Sequence, residues 1–170
     1  MKLTIFLEEG LDDKERNVIG EILHGTYLID FDYEYLAEKF VSNFLDKRRN
    51  QIRGDLLLEA LSRKRKGFLA IITEDLFVPN LNFIFGVAIP NIGAVVSTYR
   101  LWLDADLDTF AMRLQKTIKH ELGHFFGLLH CVNNCVMRFS NSLFELDLKP
   151  SVYCNVCKRK LKEIGVINDS

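Results

Sequence analysis

The sequence predicts a mixed α/β (α+β) fold, in which a twisted sheet carries helices on its faces and a small C-terminal subdomain follows. Two observations support this fold class. Segments with the alternating period of strands are interspersed with amphipathic helical segments in the first half, and a hairpin-like pair of strands follows. With 170 residues, of which 48% are hydrophobic and 26% charged, the chain is long enough to bury the core of one compact domain.

Three strands and two helices are predicted in the first half of the chain. Alternating apolar residues indicate strands, and apolar residues at helical spacing indicate helices. Phe68–Ile72 is a continuous apolar run, which is typical of a central strand covered on both faces. We expect Gly25 to end the first helix and Asp55 to cap the second. The predicted order is strand 2–7, helix 11–23, strand 27–35, helix 55–65 and strand 68–72, with residues 36–53 left open between strand and helix.

Two further strands and two helices are predicted in the second half. The turn signal Pro90-Asn91 separates two strand-like segments, so we expect a hairpin. A long helix follows, and its upstream part has apolar residues at core spacing. Regular patterning then fades until a last short helical segment. The predicted elements are strands at residues 83–89 and 94–98, a long helix from about 106 to 126, and a short helix at 156–164.

Three of the four histidines lie in or just after the end of the long helix. His120 and His124 are one turn apart on the same face, and Gly127 can end the helix in a left-handed conformation that brings His130 back. Three neutral imidazoles form a catalytic zinc site with one open position. Glu121 lies about 100° around the helix, so it can act as general base on water at that position. Histidines on an apolar helix face can also be core residues, but the helix break and the third histidine favour a metal.

The four cysteines all follow the histidine motif. They form two close-spaced pairs: Cys131 with Cys135, and Cys154 with Cys157. Such pairs predict a tetrahedral structural zinc site, although buried free cysteines and a redox Cys-x-x-Cys pair are alternatives. The stretch around them has few apolar residues, so a metal would supply the stability that packing does not. We therefore expect two zinc ions, an N-terminal subdomain at residues 1–127 and a zinc-bound C-terminal subdomain at residues 128–170.

The pattern His120-Glu121-x-x-His124-x-x-Gly127-x-x-His130 resembles the signature of the metzincin clan of zinc peptidases. Cys131 directly after the third histidine, together with the other cysteines, makes the chain similar to the archaemetzincin family. Further similar residues between positions 81 and 161 are Phe85-Gly86, Ser97-x-x-Arg100-Leu101, Cys135-Val-Met137, Asn141-Ser142, Asp147 and Pro150.

The resemblance implies a compact metzincin fold and a peptidase activity, with aminopeptidase action as one form of it. It implies the same metal ligands and the same base as the spacing argument. It also implies a role that spacing alone does not: Met137 would form the Met-turn, an apolar floor beneath the catalytic zinc.

We interpret the chain as a zinc metallopeptidase in which Glu121 takes a proton from the attacking water and delivers it to the leaving amine. An extended substrate is expected to pair with an edge strand. We assign that strand to Phe83, Ile84, Phe85, Gly86, Val87, Ala88 and Ile89. The alternative is a protein that binds peptides or protein termini with little or no turnover. Arg100 or Asp147 would then serve recognition, although structural ion pairs or capping explain both residues more simply.

Net charge and composition argue against other partners. The net charge is −1, and the basic run at residues 63–66 is short enough to be a solvated helix end. We therefore expect no nucleic-acid partner. The sequence shows no secretory signal and no apolar segment long enough to span a bilayer. The expectation is a cytoplasmic monomer that acts on peptides and has no membrane partner.

Overall fold

The computed structural model describes residues 1–168, which fold into two sheets surrounded by helices. The strands are β1 (Lys2–Glu8), β2 (Asp30–Leu36), β3 (Leu45–Asp46), β4 (Gln51–Arg53), β5 (Phe68–Ile72), β6 (Leu76–Phe77), β7 (Gly86–Ile89) and β8 (Gly93–Ser97). The helices are α1 (Asp13–Thr26), α2 (Glu38–Ser42), α3 (Gly54–Lys64), α4 (Leu107–Phe125), α5 (Leu143–Leu148) and α6 (Asn155–Glu163), and a 3-10 turn spans Arg100–Trp102. The predicted mixed α/β fold is confirmed.

The larger sheet has the strand order β2-β1-β5-β8-β7. β1 pairs in parallel with β2 and β5, and β5 pairs in parallel with β8. β7 runs antiparallel to β8, with Gly86 opposite Val96, so the predicted hairpin is confirmed. β7 is the last strand in this order, and its outer edge is therefore free to pair with an added strand.

Alternate residues of β5 contribute to two different cores. Leu69 and Ile71 pack with residues of α1 and α4, whereas Phe68, Ala70 and Ile72 pack with residues of α3. Successive side chains of a strand point to opposite faces, so β5 is covered on both sides, as its continuous apolar run predicts. The sheet thus forms a rigid middle layer between two layers of helices.

α4 is the helix on which the histidine motif lies. The carboxylate of Asp106 caps its first turn by accepting from the backbone N–H of Thr109 at 2.8 Å. Its apolar face is fully buried against the sheet and consists of Phe110, Leu114, Ile118 and Leu122. Packing along its whole length therefore fixes the helix and the residues at its C-terminal end. No helix in the described part of the chain is both long and apolar enough to cross a membrane.

The C-terminal residues form a small core of their own. Leu128, Cys135, Val136, Met137, Tyr153, Cys157, Leu161 and Val166 pack together there. Tyr153 joins this core to the rest of the chain, because its hydroxyl donates to the carbonyl of Lys119 at 2.6 Å and lies 2.7 Å from the Tyr27 hydroxyl. Residues 169 and 170, the last two of the predicted subdomain at residues 128–170, lie outside the described residues.

Two predicted helix ends are wrong. α1 continues through Gly25 to Thr26, and it ends when the backbone N–H of Tyr27 donates to Leu23 without any left-handed residue. α3 begins one residue before Asp55, with no side-chain cap. The Asp55 carboxylate accepts from Arg53 Nε at 2.8 Å, so the guanidinium engages it in place of a backbone N–H.

Residues 36–53, whose pattern does not distinguish strand from helix, contain α2, β3 and β4, and β3 and β4 form a three-stranded sheet with β6. The sequence does not predict α5, because the residues after the long helix lack a regular apolar pattern. Ser142 caps α5 by accepting from the backbone N–H of Glu145 at 3.2 Å. β2 begins at Asp30 rather than at residue 27, because Leu28 donates its backbone N–H to Val166 instead of to the sheet. The pairing of β4 with β6 and the displaced start of β2 depend on contacts that are distant in sequence.

The edge strand is shorter than the predicted 83–89, and this part of the prediction is wrong. Phe83, Ile84 and Phe85 precede β7. The backbone N–H of Ile84 donates to the carbonyl of Leu76 in the smaller sheet at 2.9 Å. The carbonyl of Phe85 accepts from the backbone N–H of Ser97 in the larger sheet at 3.0 Å. The segment therefore crosses from the smaller sheet at Ile84 to the larger sheet at Phe85, and β7 itself comprises only Gly86–Ile89.

A buried carboxyl group at the end of β1 makes stability depend on pH. Glu8 is fully buried and accepts from the backbone N–H of Thr73 at 3.2 Å and from the Thr73 hydroxyl. Burial and the neighbouring Glu74 carboxyl raise the pKa of Glu8 from 4.5 to about 8. The folded chain thus holds a proton that the unfolded chain releases, so this contribution is complete below about pH 4.5 and is lost as the pH rises to 8.

We expect Glu8→Gln to flatten this dependence, because the amide has a similar shape and does not titrate. Thermal unfolding followed by circular dichroism between pH 5 and 8 measures it. The melting temperature of the wild type should fall more steeply with pH than that of Glu8→Gln. The exposed Glu21→Gln is the control and should keep the wild-type slope. Equal slopes for wild type and Glu8→Gln would contradict the assignment of this proton to Glu8.

Candidate active site

The turn after α4 reverses the chain immediately beyond the second histidine of the motif. Gly127 has φ of 98° and donates its N–H to the carbonyl of His124 at 2.9 Å. Leu128 donates to the carbonyl of Gly123 at 2.8 Å. This pair of bonds with a left-handed glycine is a Schellman motif, which ends the helix as the sequence predicts. The chain then returns along the helix end and carries His130 toward the other two histidines.

The three imidazoles meet at one point. One ring nitrogen from each of His120, His124 and His130 lies within 4.8 Å of the others, and the Nε2 atoms of His120 and His124 are 3.1 Å apart. The Nδ1 atoms of His120 and His124 lie 2.9 Å and 2.8 Å from the carbonyl oxygens of Val136 and Leu128. A carbonyl oxygen only accepts, so both Nδ1 atoms carry the proton and both Nε2 lone pairs point inward.

The protonation state of these rings also suits a metal. Burial lowers the pKa of His120 to about 3, and the nearby Lys149 ammonium adds to the effect. Burial likewise lowers the pKa of His124 and His130. Neutral rings whose lone pairs converge repel one another unless a cation lies between them. The donor set therefore fits a single zinc ion with three nitrogen ligands.

Glu121 lies beside the histidines, beneath the edge strand. Its side chain is buried, and a Cβ atom at Gly86 of β7 would come within 2.7 Å of Glu121 Cγ and 2.8 Å of the Val95 carbonyl oxygen. Burial raises the pKa of Glu121 to about 8, and the Lys149 ammonium opposes the rise. A divalent cation at the imidazoles would act in the same direction as the Lys149 ammonium and lower the pKa of Glu121. It would thereby favour the ionised carboxylate that a general base requires.

We expect Gly86→Ala to lower peptide turnover by about tenfold, because the added methyl group would push the Glu121 carboxylate away from the histidines. Zinc bound at the histidines should remain, since Gly86 does not contact those rings. Steady-state kinetics and metal analysis measure the two effects. Gly20→Ala in α1 is the control for an added methyl group, because a Cβ atom there would meet no other atom within 4 Å. Full activity of Gly86→Ala would mean that the Glu121 position is not critical.

Met137 packs directly against α4 beneath the histidines. It is fully buried, and its sulfur occupies the space where a Cβ atom at Gly123 would lie. The carbonyl of Met137 accepts from the backbone N–H of Cys131 at 3.0 Å. The loop from Cys131 to Met137 is thus closed on itself below the helix end.

The four cysteines meet in a second cluster. All are free thiols, and their sulfur atoms lie within 4.8 Å of one another. Burial raises the pKa of the Cys135 thiol, and the backbone N–H groups of Met137 and Cys154, at 3.4 Å and 3.2 Å from its Sγ, oppose the rise. A redox pair needs only two sulfurs, whereas this cluster offers four that face one centre. The set fits a tetrahedral zinc ion.

A cavity of about 250 Å³ opens over the histidines. Gly86, Val87 and Ala88 of β7 line one side of it, and His120, Glu121, His124 and His130 lie at its floor. Phe139, Ser140 and Asn141 line the other side. The cavity is therefore a groove between an edge strand and the loop after Met137, with the three imidazoles and the carboxylate between them.

Lys149 is a cavity residue that sequence reasoning missed. It follows α5, is buried, and its Nζ lies 3.3 Å from His120 Nδ1 and 3.0 Å from the carbonyl oxygen of Arg138. Lysine is usually exposed and no spacing rule connects position 149 to the histidine motif, so the sequence carries no signal for it. Phe139 was missed for the same reason, whereas Thr117 lies on α4 one turn before His120 and Glu121, where helical spacing could have found it.

Arg100 and Asp147 lie outside the residues that line the cavity. Arg100 forms two hydrogen bonds of 2.9 Å with Asp75, and Asp147 accepts from Arg113 at 2.9 Å and 3.0 Å. Both residues are thus held in bidentate ion pairs, which agrees with the expected structural role.

Sequence and structural comparisons with known proteins agree on one family of relatives. A sequence model of peptidase family M54 matches residues 21–163. An archaemetzincin of Nanoarchaeum equitans is 49% identical over 119 residues, which are 69% of this chain and 66% of that protein. The crystal structure of archaemetzincin from Methanopyrus kandleri is 37% identical, with a TM-score of 0.82 over 95% of this chain and 96% of that one. That of archaemetzincin from Archaeoglobus fulgidus, complexed with malonate, is 31% identical, with a TM-score of 0.81 over 94% and 99%.

Proposed function

This chain belongs to peptidase family M54, the archaemetzincins, and is a zinc metallopeptidase; on that premise we propose that it cleaves peptide bonds at the three-histidine site, with Glu121 as general base. One observation carries the proposal. Three imidazole nitrogens converge at the floor of a groove, and the Glu121 carboxyl lies beside them under an edge strand. The groove admits an extended peptide, and the two kinds of group needed for hydrolysis lie within it.

His120, His124 and His130 would hold the catalytic zinc through the nitrogens that face one another. When bound, zinc supplies Lewis acidity that polarises the scissile carbonyl and acidifies a nearby water molecule. Glu121 accepts a proton from the attacking water at its carboxylate and delivers it to the nitrogen of the leaving amine. Its burial keeps bulk water away from that proton, and the packing of Glu121 beneath Gly86 holds the carboxylate in place.

Substrate backbone would pair with the outer edge of β7 and continue across the histidines. Main-chain hydrogen bonds to an edge strand accept many sequences, because they do not depend on side chains. The pairing surface comprises the four residues of β7 instead of the seven that the sequence suggested. Met137 would serve as the apolar floor of the site, since it is packed against Gly123, which directly precedes His124 on α4.

Each chain would bind two zinc ions, one at the histidines and one at the cysteines, because the two clusters share no residue. Metal analysis of gently purified protein, combined with thiol titration, measures this. His124→Ala and Cys154→Ala should each lower the stoichiometry from two to one, at different sites. One zinc per chain together with four freely reacting thiols would contradict the cysteine site.

Digestion of a diverse peptide mixture, with products mapped by mass spectrometry, tests the peptidase reaction. Cleavage should stop with a chelator and return with added zinc. Products shortened by one residue at the N terminus would indicate aminopeptidase action, and internal fragments would indicate an endopeptidase. Binding of peptides without any cleavage by zinc-loaded protein would overturn the proposal in favour of a peptide-binding protein.

A further inference from the structure

Lys149 places a positive charge in the wall of the groove. Its side chain is only 7% exposed, yet no carboxylate in the described part of the chain lies within the 4 Å of a salt bridge. Buried charges are normally paired, because an unpaired ion loses its hydration without compensation. Glu121 acts on Lys149 electrostatically but forms no salt bridge with it, so the ammonium can still take a directly bonded anionic partner from outside the chain.

The hydrogen bonds of Lys149 leave donors free. An ammonium has three N–H groups, and the carbonyl of Arg138 accepts one of them at 3.0 Å. The contact with His120 Nδ1 is not a hydrogen bond, because that nitrogen already donates to Val136. Two N–H groups of Lys149 thus remain for another acceptor, and Lys149 lines the groove.

Two other buried lysines between α4 and the α5 region behave differently. Lys116 donates to the carbonyls of Leu146 and Asp147 at 3.1 Å and 2.9 Å, and Lys119 donates to the carbonyl of Ser151 at 2.8 Å. Neither belongs to the residues that line the groove. Lys149 is therefore distinguished by its location and not by being a buried lysine.

The charges around the groove favour an anion over a cation. Among the described residues that line it, Glu121 is the single carboxylate and Lys149 the single ammonium or guanidinium. Once Glu121 is assigned to the base, no carboxylate remains to receive a substrate ammonium. Ser140 also lines the groove, and its buried hydroxyl has no hydrogen-bond partner among the described residues, so it can contribute a second donor.

We propose that Lys149 determines specificity by binding a carboxylate of the substrate close to the scissile bond. The carboxylate belongs either to an Asp or Glu side chain or to the C terminus of the peptide. The inference rests on the proposed peptidase function and names the substrate class of that same site. A hydrogen bond to a charged group should favour acidic substrates by about 10- to 100-fold in kcat/KM.

A merely positioning role is the competing explanation, since Lys149 lies near His120 and acts electrostatically on Glu121. Loss of a positioning group lowers turnover of all substrates by the same factor. Loss of a specificity group changes the ratio between substrates. The ratio of kcat/KM for acidic and neutral peptides is therefore the decisive quantity.

The experiment uses zinc-loaded protein and matched peptides that carry Glu, Gln or Lys at successive positions, each with a free or an amidated C terminus. The Glu and Gln peptides test for a side-chain carboxylate, and the free and amidated ends test for a terminal one. The variants are Lys149→Met, Lys149→Arg and, as a matched control, Lys116→Met, which removes a buried lysine that contacts α5 but not the groove. Zinc content is measured for each variant to detect loss of the site.

Wild type and Lys116→Met should prefer acidic peptides, Lys149→Met should bring the ratio close to one, and Lys149→Arg should restore part of it. Persistence of the preference in Lys149→Met, or an equal loss for all peptides, would overturn the inference. If wild type cleaves no peptide, the proposed function fails on its own. Fluorescence anisotropy with the same Glu and Gln peptides then decides the inference: tighter binding of Glu peptides that depends on Lys149 supports it, and equal binding overturns it.

Discussion

Glu121→Gln is expected to leave zinc bound at the histidines and to lower peptide turnover by hundreds of fold or more, as for removal of a general base. The amide has nearly the same shape as the carboxylate, so its packing under Gly86 should be retained. It does not accept a proton from water, so the reaction loses its base while the imidazole nitrogens remain in place.

Metal analysis and steady-state kinetics on the same sample measure both effects. Glu8→Gln is a matched control, because Glu8 is also a buried glutamate with a pKa raised to about 8 but lies at the end of β1. Its turnover should equal that of the wild type. Parallel loss of zinc and activity in Glu121→Gln would show that Glu121 is a metal ligand.

Cys157→Ala is expected to weaken zinc binding at the histidines by about 10- to 100-fold, although Cys157 does not contact them. The reason is the segment that the two clusters share. Val136 accepts from the Nδ1 atom of His120 and directly follows Cys135, and His130 directly precedes Cys131. Loss of one thiolate should loosen this loop and, with it, the orientation of the rings.

A zinc competition titration measures the affinity, and circular dichroism should show that the sheet and its helices stay folded. Val156→Ala, at an exposed neighbouring position of α6, is the control and should keep full affinity. Unchanged affinity in Cys157→Ala would mean that the two metals are independent and that the turn at Gly127 alone positions His130.

The parts of the site that are local in sequence could be predicted from it. His120, His124 and the glycine turn are related by the geometry of one helix and its end, so spacing alone predicts that they meet. The cysteine cluster also follows from close-spaced pairs, although the joining of Cys131 with Cys154 across more than twenty residues needs the tertiary fold. The burial of β5 could also be predicted, because a continuous apolar run is typical of a strand that is covered on both faces.

Other parts depend on contacts between distant segments and leave no local pattern. The packing of Glu121 beneath Gly86 joins α4 to β7, and nothing in either segment specifies the other. Lys149 enters the groove only because α5 packs beside α4, and α5 is too short to give a helical period. The prediction makes the edge strand too long because Phe83, Ile84 and Phe85 are apolar and β-favouring, whereas the backbone of Ile84 pairs with Leu76 in the smaller sheet.

The bonds from the His120 and His124 rings to the C-terminal loop set an order of assembly. All strands of the larger sheet come from residues before 98, and α4 follows them directly. The carbonyls that orient the imidazoles, and the thiols that hold the loop, come later in the sequence. On a ribosome, which makes the chain from its N terminus, the sheet can be complete while the hydrolytic centre is still missing. That centre cannot close before Val136 has been synthesised, and its clamp is complete only with Cys157.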